Sequence, residues 1–225
     1  MTLPWTEGQI RADYVNHWGS DDSIAQAARV STKGIDGNDA GKTSGLVKRL
    51  WKDGHVSCFE HCGMTFQISC PIPMAAQIMR HRSWSFNSVS GRYTELKPVF
   101  HIPSLGDPIV ESGSKPMDYG RKPASLDQYT RFVGDLADVY GYAWEKYEAA
   151  IRSGISREEA RFLLPQGIFT EFWATGNLRS IFHFLDQRLD PHAQFETRIV
   201  ASDIEWEVSK HFPIAHRAWA EAKEE

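Results

Sequence analysis

The sequence lacks any apolar run close to the roughly 20 residues that a membrane-spanning helix requires. Its N-terminus also lacks the charged and then apolar pattern of a secretory signal. Cysteine is scarce, since Cys58, Cys62 and Cys70 are the only three in 225 residues and cannot all pair within one chain. These absences predict a protein of a reducing compartment with no membrane partner, and we expect it in the cytoplasm.

Positive charge is not in excess either. The net charge is -4 and the pI is near 6.1, whereas a general nucleic-acid binder relies on many phosphate contacts and a broad basic surface. The composition therefore argues against nucleic acid as a partner. A glycine-rich dinucleotide fingerprint of the GxGxxG kind is also absent, so no Rossmann motif predicts a cofactor.

The basic residues that do occur include a dense group in residues 80–93. This stretch contains three arginines, one histidine, four serines and three aromatic residues, but no lysine. Arginine presents a fixed fork of N–H groups that matches the oxygens of phosphate or carboxylate two at a time. Such a set suits a planar, anionic ligand, although segments of this composition are more often solvated loops.

The preceding residues favour a site over a solvated loop. Residues 64–70 alternate apolar and polar side chains, which predicts a half-buried strand. Pro71 ends this strand, and Pro73 suits the first turn of a helix that we expect to continue to about Arg82. The arginine-rich stretch therefore follows a well-specified strand and helix, which position functional groups better than a free loop does.

Two capping boxes predict further helices. Ser125 and Gln128 open a long helix, which Gly154 ends. Ser156 and Glu159 form a second box.

The remaining pattern completes the expected fold. Apolar residues at helical spacing predict a helix over residues 177–188. Residues 97–124 carry five prolines and three glycines, which predicts a loop with at most short elements. A chain of this length with 41% hydrophobic residues is most simply one domain, spanning residues 1–225.

The cysteines allow two chemical alternatives. His55, Cys58, His61 and Cys62 lie close enough in sequence to suggest zinc, but their spacing matches no standard zinc pattern. We therefore expect no metal. A cysteine nucleophile is also conceivable, but Cys70 falls on the apolar face of the predicted strand, where packing is the better interpretation.

The triplet Arg80-His81-Arg82, followed by seven residues and then Ser90-Gly91-Arg92-Tyr93, resembles the signature of the flavin-dependent thymidylate synthases. The resemblance continues in family order over roughly residues 20 to 210. Its other segments are Ala27 to Ser31, Gly54-His55, Phe59-Glu60-His61, Ala160-Arg161, Leu164-Pro165, Asn177 with Arg179-Ser180, and Arg188 with His192-Ala193-Gln194 and Glu196.

The resemblance implies an activity. Family members transfer a methylene group from 5,10-methylenetetrahydrofolate to the uracil of dUMP and reduce it to methyl with a hydride from FAD, which NADPH has reduced. They are homotetramers whose active sites are shared between chains, and they use no enzyme cysteine nucleophile. The implied fold is α+β, with an antiparallel sheet flanked by helices, as in the thymidylate synthase-complementing proteins.

Site roles follow from the resemblance, residue by residue. Catalytic roles fall on Arg188, Ser90 and His55. The residues implied to bind dUMP are Gln77, Arg80, Ser88, Ser90, Gly91, Arg92, Arg161 and Arg188. The residues implied to bind FAD are Ser57, Glu60, Arg80, His81, Arg82, Ser88, Asn177, Arg179, His183 and His192.

Two of these positions depart from the family pattern. Ser88 stands where the family commonly has glutamate, two residues before the motif serine, so a charged contact to nucleotide or flavin is lost or supplied differently. His183 stands where an amide side chain is expected.

Arg188 has a chemical reason to be arginine. A cation at the end of a helix is favourable in any case, because of the helix dipole. A guanidinium against the uracil ring also favours loss of the imide proton, since unit charges at about 4 Å and an effective dielectric near 20 interact by roughly 4 kcal/mol, or about three pKa units. Activation of the ring without a covalent nucleophile is therefore physically reasonable.

Two other functions compete with this interpretation. A non-catalytic RNA- or nucleotide-binding protein would use Trp84, Phe86 and Tyr93 as stacking platforms. A flavoprotein that has lost methyl transfer would follow from the departure at Ser88.

Overall fold

The computed structural model describes residues 3–33, 42–114 and 120–223. The chain forms two compact units, each assembled from three segments. The first unit contains Met1–Ile10, Ser69–Ile78 and Ser88–Glu171, and the second contains Arg11–Ile68, Met79–Asn87 and Phe172–Glu225. One domain over residues 1–225 stays a prediction.

The described residues contain both helices and strands, as an α+β fold requires. The helices are α1 (Asp21–Lys33), α2 (Thr43–Lys52), α3 (Ile72–Ile78), α4 (Leu126–Arg152), α5 (Arg157–Ala160), α6 (Leu178–Arg188), α7 (Phe195–His211) and α8 (Pro213–Glu221). The strands are β1 (Thr6–Glu7), β2 (Arg11–Trp18), β3 (Gly63–Pro71), β4 (Ser85–Ser88), β5 (Val99–Phe100), β6 (Val110–Glu111), β7 (Arg121–Lys122) and β8 (Phe169–Asn177).

The main sheet is antiparallel and has the strand order β2-β3-β8-β4. This sheet and the surrounding helices confirm the predicted fold class. The predicted strand over residues 64–70 is present within β3, but it is buried on both faces except at Gln67. The prediction of a half-buried strand was wrong because β3 is an interior strand, where the Thr65 hydroxyl pairs with that of Thr175 at 3.0 Å.

The first unit is organised around α4. Its predicted capping box is present, with reciprocal bonds between Ser125 and Gln128, and Gly154 beyond its end has a φ of +88°. The core beside it is aromatic, and the Phe100 and Tyr140 rings stack with centroids 4.5 Å apart. The predicted loop over residues 97–124 contains only the short strands β5, β6 and β7 in its described part, and residues 115–119 lie outside that part.

The second unit is held by buried helix faces and by one buried carboxylate. Asp21, the first residue of α1, accepts the backbone N–H groups of Ile214 and Ala215 at 2.9 Å each. It therefore caps the start of α8. Burial raises the pKa of Asp21, while the two backbone donors oppose that rise.

Two helix predictions require correction. The helix α3 ends at Ile78, not near Arg82, because the chain turns sharply in the next residues. The capping box at Ser156 and Glu159 does not form, since α5 has four residues and no side-chain cap, and a short 3₁₀ turn from Arg161 follows it. Within the described ranges, no helix is both long and apolar enough to cross a membrane.

Candidate active site

The signature triplet forms a tight turn in the second unit. The Arg82 N–H donates to the Arg80 carbonyl at 3.0 Å, and the Trp84 N–H donates to the His81 carbonyl at 3.1 Å. This turn buries the His81 side chain, which is 7% exposed, and leaves Arg80 and Arg82 exposed. The two arginines are thereby available to a ligand, whereas the histidine faces the protein interior.

Trp84 anchors this turn to α6. It is only 5% exposed, and its Nε1–H donates to the Ser180 carbonyl at 3.2 Å. Gly176 makes room for the indole, because a Cβ at that position would lie 2.8 Å from the ring. A buried, hydrogen-bonded indole is no platform for an incoming base, so this contact contradicts the RNA-binding alternative at Trp84.

Arg188 lies at the end of α6 and bonds to His81. Its Nε donates to His81 Nε2 at 3.1 Å in a partly buried setting. Burial, assisted by the charge of Arg188 and by His183, lowers the pKa of His81 to about 4. Burial also lowers the pKa of Arg188 from its high ordinary value. The histidine is therefore neutral near neutral pH.

Several residues predicted to bind the flavin contact one another or nearby side chains. Arg179 Nη1 donates to Glu60 Oε1 at 2.5 Å, on the exposed side of α6. Asn177 is the N-cap of α6, where its side-chain oxygen accepts the Ser180 N–H at 2.9 Å. Asn177 thus has a structural role that the sequence interpretation did not assign.

The two predicted histidines near the end of α6 are exposed and hydrogen-bonded. His183 Nε2 lies 3.0 Å from the side-chain nitrogen of Gln187. The Asp190 carboxylate accepts from His192 Nδ1 at 2.9 Å and from the His192 backbone N–H at 2.7 Å. These contacts lower the pKa of Asp190.

A pocket of about 460 Å³ lies between α1, α2 and the 3₁₀ turn Val56–His61. It brings together the predicted residues His55 and Ser57 and adds the buried Arg29. The full lining is Ala27, Ala28, Arg29, Ser31, Leu46, Leu50, His55, Ser57 and Cys58. The volume and polar groups are those of a small-molecule or cofactor site.

The first unit holds the remaining predicted nucleotide residues. Ser90 starts a turn, since its carbonyl accepts the N–H groups of Tyr93 and Thr94 at 3.1 Å each. Gly91 is buried beside Arg161, whose Cδ would lie 3.5 Å from an added Cβ. Gln77 on α3 is half-buried, and Ser88 at the end of β4 is exposed.

Arg92, next in this turn, forms an ion pair with a residue of α5. Its Nε donates to Glu158 Oε2 at 2.8 Å, and both side chains are about half exposed. The sequence interpretation did not single out Glu158. The only feature of the sequence that could have drawn attention to Glu158 is its position three residues before Arg161.

Residues 14–214 match the family model described as "Thymidylate synthase complementing protein". The chain belongs to this family. Among the family's curated members, the flavin-dependent thymidylate synthase of Streptomyces avermitilis is 35% identical, over 96% of this chain and 93% of that protein. The enzyme of the same name from Thermus thermophilus is also 35% identical, over 98% of this chain and 79% of that protein.

Solved structures agree with the family assignment. A UMP/dUMP methylase, PolB from Streptomyces cacaoi, bound with 5-Br UMP has a TM-score of 0.90 and 35% identity, covering 97% of each chain. The same methylase bound with 5-Br dUMP has a TM-score of 0.89 and 37% identity, covering 96% of this chain and 97% of that chain.

The two buried cysteines, Cys62 and Cys70, are poor nucleophiles. Burial raises the pKa of Cys70 to about 12 and that of Cys62 to about 11, and the Cys62 thiol donates to the Ser20 carbonyl at 3.4 Å. Cys58 lines the pocket and is half-buried. Among the residues that the structure describes, no group of three or more His, Cys, Asp or Glu residues is arranged to hold a metal.

Three features were not predicted from the sequence. They are the position of Arg29 in the pocket, the ion pair between Glu158 and Arg92, and the hydrogen bond between His81 and Arg188. Arg29 lies in a segment that carries the family resemblance, but the resemblance assigned it no role. Glu158 and His81 have partners 66 and 107 residues away, which no local pattern could identify.

Proposed function

We propose that this chain is a flavin-dependent thymidylate synthase that methylates dUMP reductively to dTMP. The observation that carries the proposal is the half-buried Arg188 at the end of α6, held by a neutral histidine. The chain also belongs to a family whose curated members include enzymes named flavin-dependent thymidylate synthase.

Arg188 would activate the uracil ring. The ring must become more electron-rich at the carbon that receives the methylene group, and loss of the imide proton achieves this. A guanidinium within about 4 Å favours that anion by an amount of roughly 4 kcal/mol. The bond to a neutral imidazole orients the guanidinium without neutralising it, which supports this role.

Arg92 and Arg161 would bind the phosphate of the nucleotide. Arginine forks suit phosphate oxygens, and Arg161 lies beside Gly91 in the turn that contains Arg92. The exposed ion pair between Arg92 and Glu158 would open when the dianionic phosphate arrives, because such pairs are worth only about 0 to 1 kcal/mol. By resemblance, Gln77, Arg80, Ser88 and Ser90 complete the dUMP-binding set.

The flavin would be FAD, and when bound it supplies the hydride that converts the transferred methylene to methyl. The pocket that contains Arg29, His55 and Ser57 has donors and volume that fit part of such a cofactor. Glu60 and Arg179, already paired with each other, would hold another part. The other flavin contacts that we propose are Arg80, His81, Arg82, Ser88, Asn177, His183 and His192.

Three further parts of the proposal come from the family resemblance. The carbon donor would be 5,10-methylenetetrahydrofolate, and NADPH would reduce the flavin. Ser90 would have a catalytic role in holding the uracil. His55 would have one beside the flavin and the folate. The chain would act as a cytoplasmic homotetramer, with active sites shared between subunits.

UMP is a second candidate substrate. Two solved structures similar to this chain are described as a UMP/dUMP methylase, one bound with 5-Br UMP and the other with 5-Br dUMP. At 35% and 37% identity they are as similar to this chain as the relatives named thymidylate synthases. The reaction would be the same, and only the sugar would differ.

The proposal is tested by a visible spectrum of the purified protein, followed by anaerobic addition of NADPH with and without nucleotide. We expect flavin bands that bleach, faster with dUMP present, and formation of dTMP once methylenetetrahydrofolate is added. Parallel reactions with UMP decide the second candidate. A colourless protein that neither binds added FAD nor oxidises NADPH would contradict the proposal.

A further inference from the structure

We propose that His81 is a positioning residue, whose neutral imidazole holds the Arg188 guanidinium in the orientation in which it acts on the nucleotide. The inference rests on the proposed function. It adds to the flavin contact that the family resemblance gives to His81, because it concerns the other side of the ring.

The direction of the bond fixes the protonation of His81. A guanidinium has five donors and no acceptor, so the contact at 3.1 Å requires a lone pair on His81 Nε2. The imidazole proton must then lie on Nδ1. Burial, Arg188 and His183 all disfavour a second proton, so this arrangement persists at working pH.

The imidazole is itself held in place. The fully buried Phe184 contacts the ring edge-on, with centroids 4.9 Å apart. The turn that carries His81 is fixed to α6 by the bond from Trp84 to the Ser180 carbonyl. Arg188 belongs to the same helix, so both partners of the bond are attached to α6.

Orientation matters for an arginine because its side chain has many rotamers. A bond through Nε restricts the plane in which the guanidinium lies. A carboxylate in place of His81 would also orient Arg188, but it would offset the positive charge that activates the ring. A neutral acceptor supplies the orientation and keeps the charge.

The test uses two amides of different length. In His81→Gln, the side-chain oxygen reaches about as far as Nε2 and can accept the Arg188 bond. In His81→Asn, the amide stops near the position of Nδ1 and cannot. The matched control is His216→Ala, which removes a half-buried histidine that is bonded through Nε2 to Glu205 at 3.2 Å and has been given no functional role.

We expect His81→Asn to lower kcat for dTMP formation by about 10- to 100-fold, while flavin content, NADPH oxidation and the KM for dUMP change little. His81→Gln should keep at least about tenfold more turnover than His81→Asn, and His216→Ala should match wild type in turnover. Equal losses in the Gln and Asn variants, loss of bound flavin in step with activity, or full activity of His81→Asn would each overturn the inference.

A second readout separates failure of this inference from failure of the proposed function. NMR titration of bound dUMP, labelled with heavy nitrogen at its imide, reports the imide pKa without any turnover. Wild type and His81→Gln should lower that pKa, and His81→Asn should not. If the imide pKa is lowered equally in all three proteins, His81 does not position Arg188, whether or not wild type makes dTMP.

Discussion

Arg92 in the first unit and Arg188 in the second are both predicted to bind the nucleotide, yet their surroundings differ. Arg92 is 53% exposed and pairs with the Glu158 carboxylate, itself 47% exposed. Arg188 is half-buried and bonds to a neutral imidazole that is itself buried. The printed bond of Arg92 is to a charged, solvated carboxylate, whereas the bond of Arg188 Nε is to an imidazole in the protein interior.

The difference separates two tasks that arginine can perform. An exposed ion pair is weak and easily exchanged for another anion, so Arg92 suits capture and release of a phosphate. A half-buried guanidinium held by a neutral group keeps its charge in a setting of lower dielectric, where that charge acts more strongly. Arg188 therefore suits stabilisation of charge that develops during the reaction.

The largest effect is expected when Arg188 itself is removed. Arg188→Ala should lower dTMP formation by roughly 100-fold or more, because the charge that favours the uracil anion is lost. Reduction of the flavin by NADPH should continue, which stopped-flow absorbance can measure beside product formation. Nearly full methylation with normal dUMP affinity would show that the ring is activated in another way.

Because His81 is neutral in the folded protein, we expect the protein to become less stable at acidic pH. The folded protein keeps His81 neutral to about pH 4, whereas the unfolded chain takes up the proton near the ordinary pKa of 6.5. The free energy of unfolding should therefore fall as the pH drops between these values, by up to about 3 kcal/mol from this residue.

Denaturant unfolding of wild type and His81→Gln across that pH range measures this contribution. The variant lacks the titrating ring, so its stability should depend less on pH than that of wild type. Parallel curves for the two proteins would mean that His81 is already protonated or is not buried in solution.

Removal of Arg92 should affect binding more than turnover. Arg92→Ala should raise the KM for dUMP by about tenfold, as expected for loss of one charged hydrogen bond, and leave kcat nearly unchanged. Steady-state kinetics with dUMP measures both. A fall in kcat equal to that of Arg188→Ala would remove the distinction between the two arginines.

A smaller effect of opposite sign is expected at Glu158. Glu158→Gln removes the carboxylate that competes with phosphate for Arg92, so dUMP should bind up to about threefold more tightly. Isothermal titration with dUMP measures this change. Weaker binding would indicate that Glu158 orients Arg92 for the nucleotide.

The smallest effect concerns the turn that connects His81 to α6. Trp84→Phe keeps the aromatic packing but loses the bond to the Ser180 carbonyl, which should cost about 1 kcal/mol of stability. Thermal unfolding measures this cost. No change in stability would show that packing alone holds the indole.

Local patterns in the sequence predicted the elements that carry the site. The capping box at Ser125 and the helix over residues 177–188 were both correct, because caps and apolar periodicity act over a few residues. The end of α3 was not predictable in this way, since the turn after Ile78 depends on Trp84 reaching α6.

The partners of the two arginines were beyond local prediction. The motif positions of Arg92 and Arg188 predict functional roles for them, but Glu158 and His81 become their partners only through the tertiary fold. The motif likewise grouped His81 with Arg80 and Arg82, although burial places it in a different environment. Residue types in the motif therefore suggested the chemistry, whereas the burial of each side chain depends on the tertiary fold.

The most direct test of this account is the imide pKa of dUMP bound to the wild-type protein and to Arg188→Ala, measured by NMR on nucleotide labelled at the imide nitrogen. If Arg188 activates the ring, the wild-type protein should lower that pKa by about one to three units relative to free dUMP, and Arg188→Ala should abolish the shift. An imide pKa equal to that of free dUMP in the wild-type complex would contradict the account.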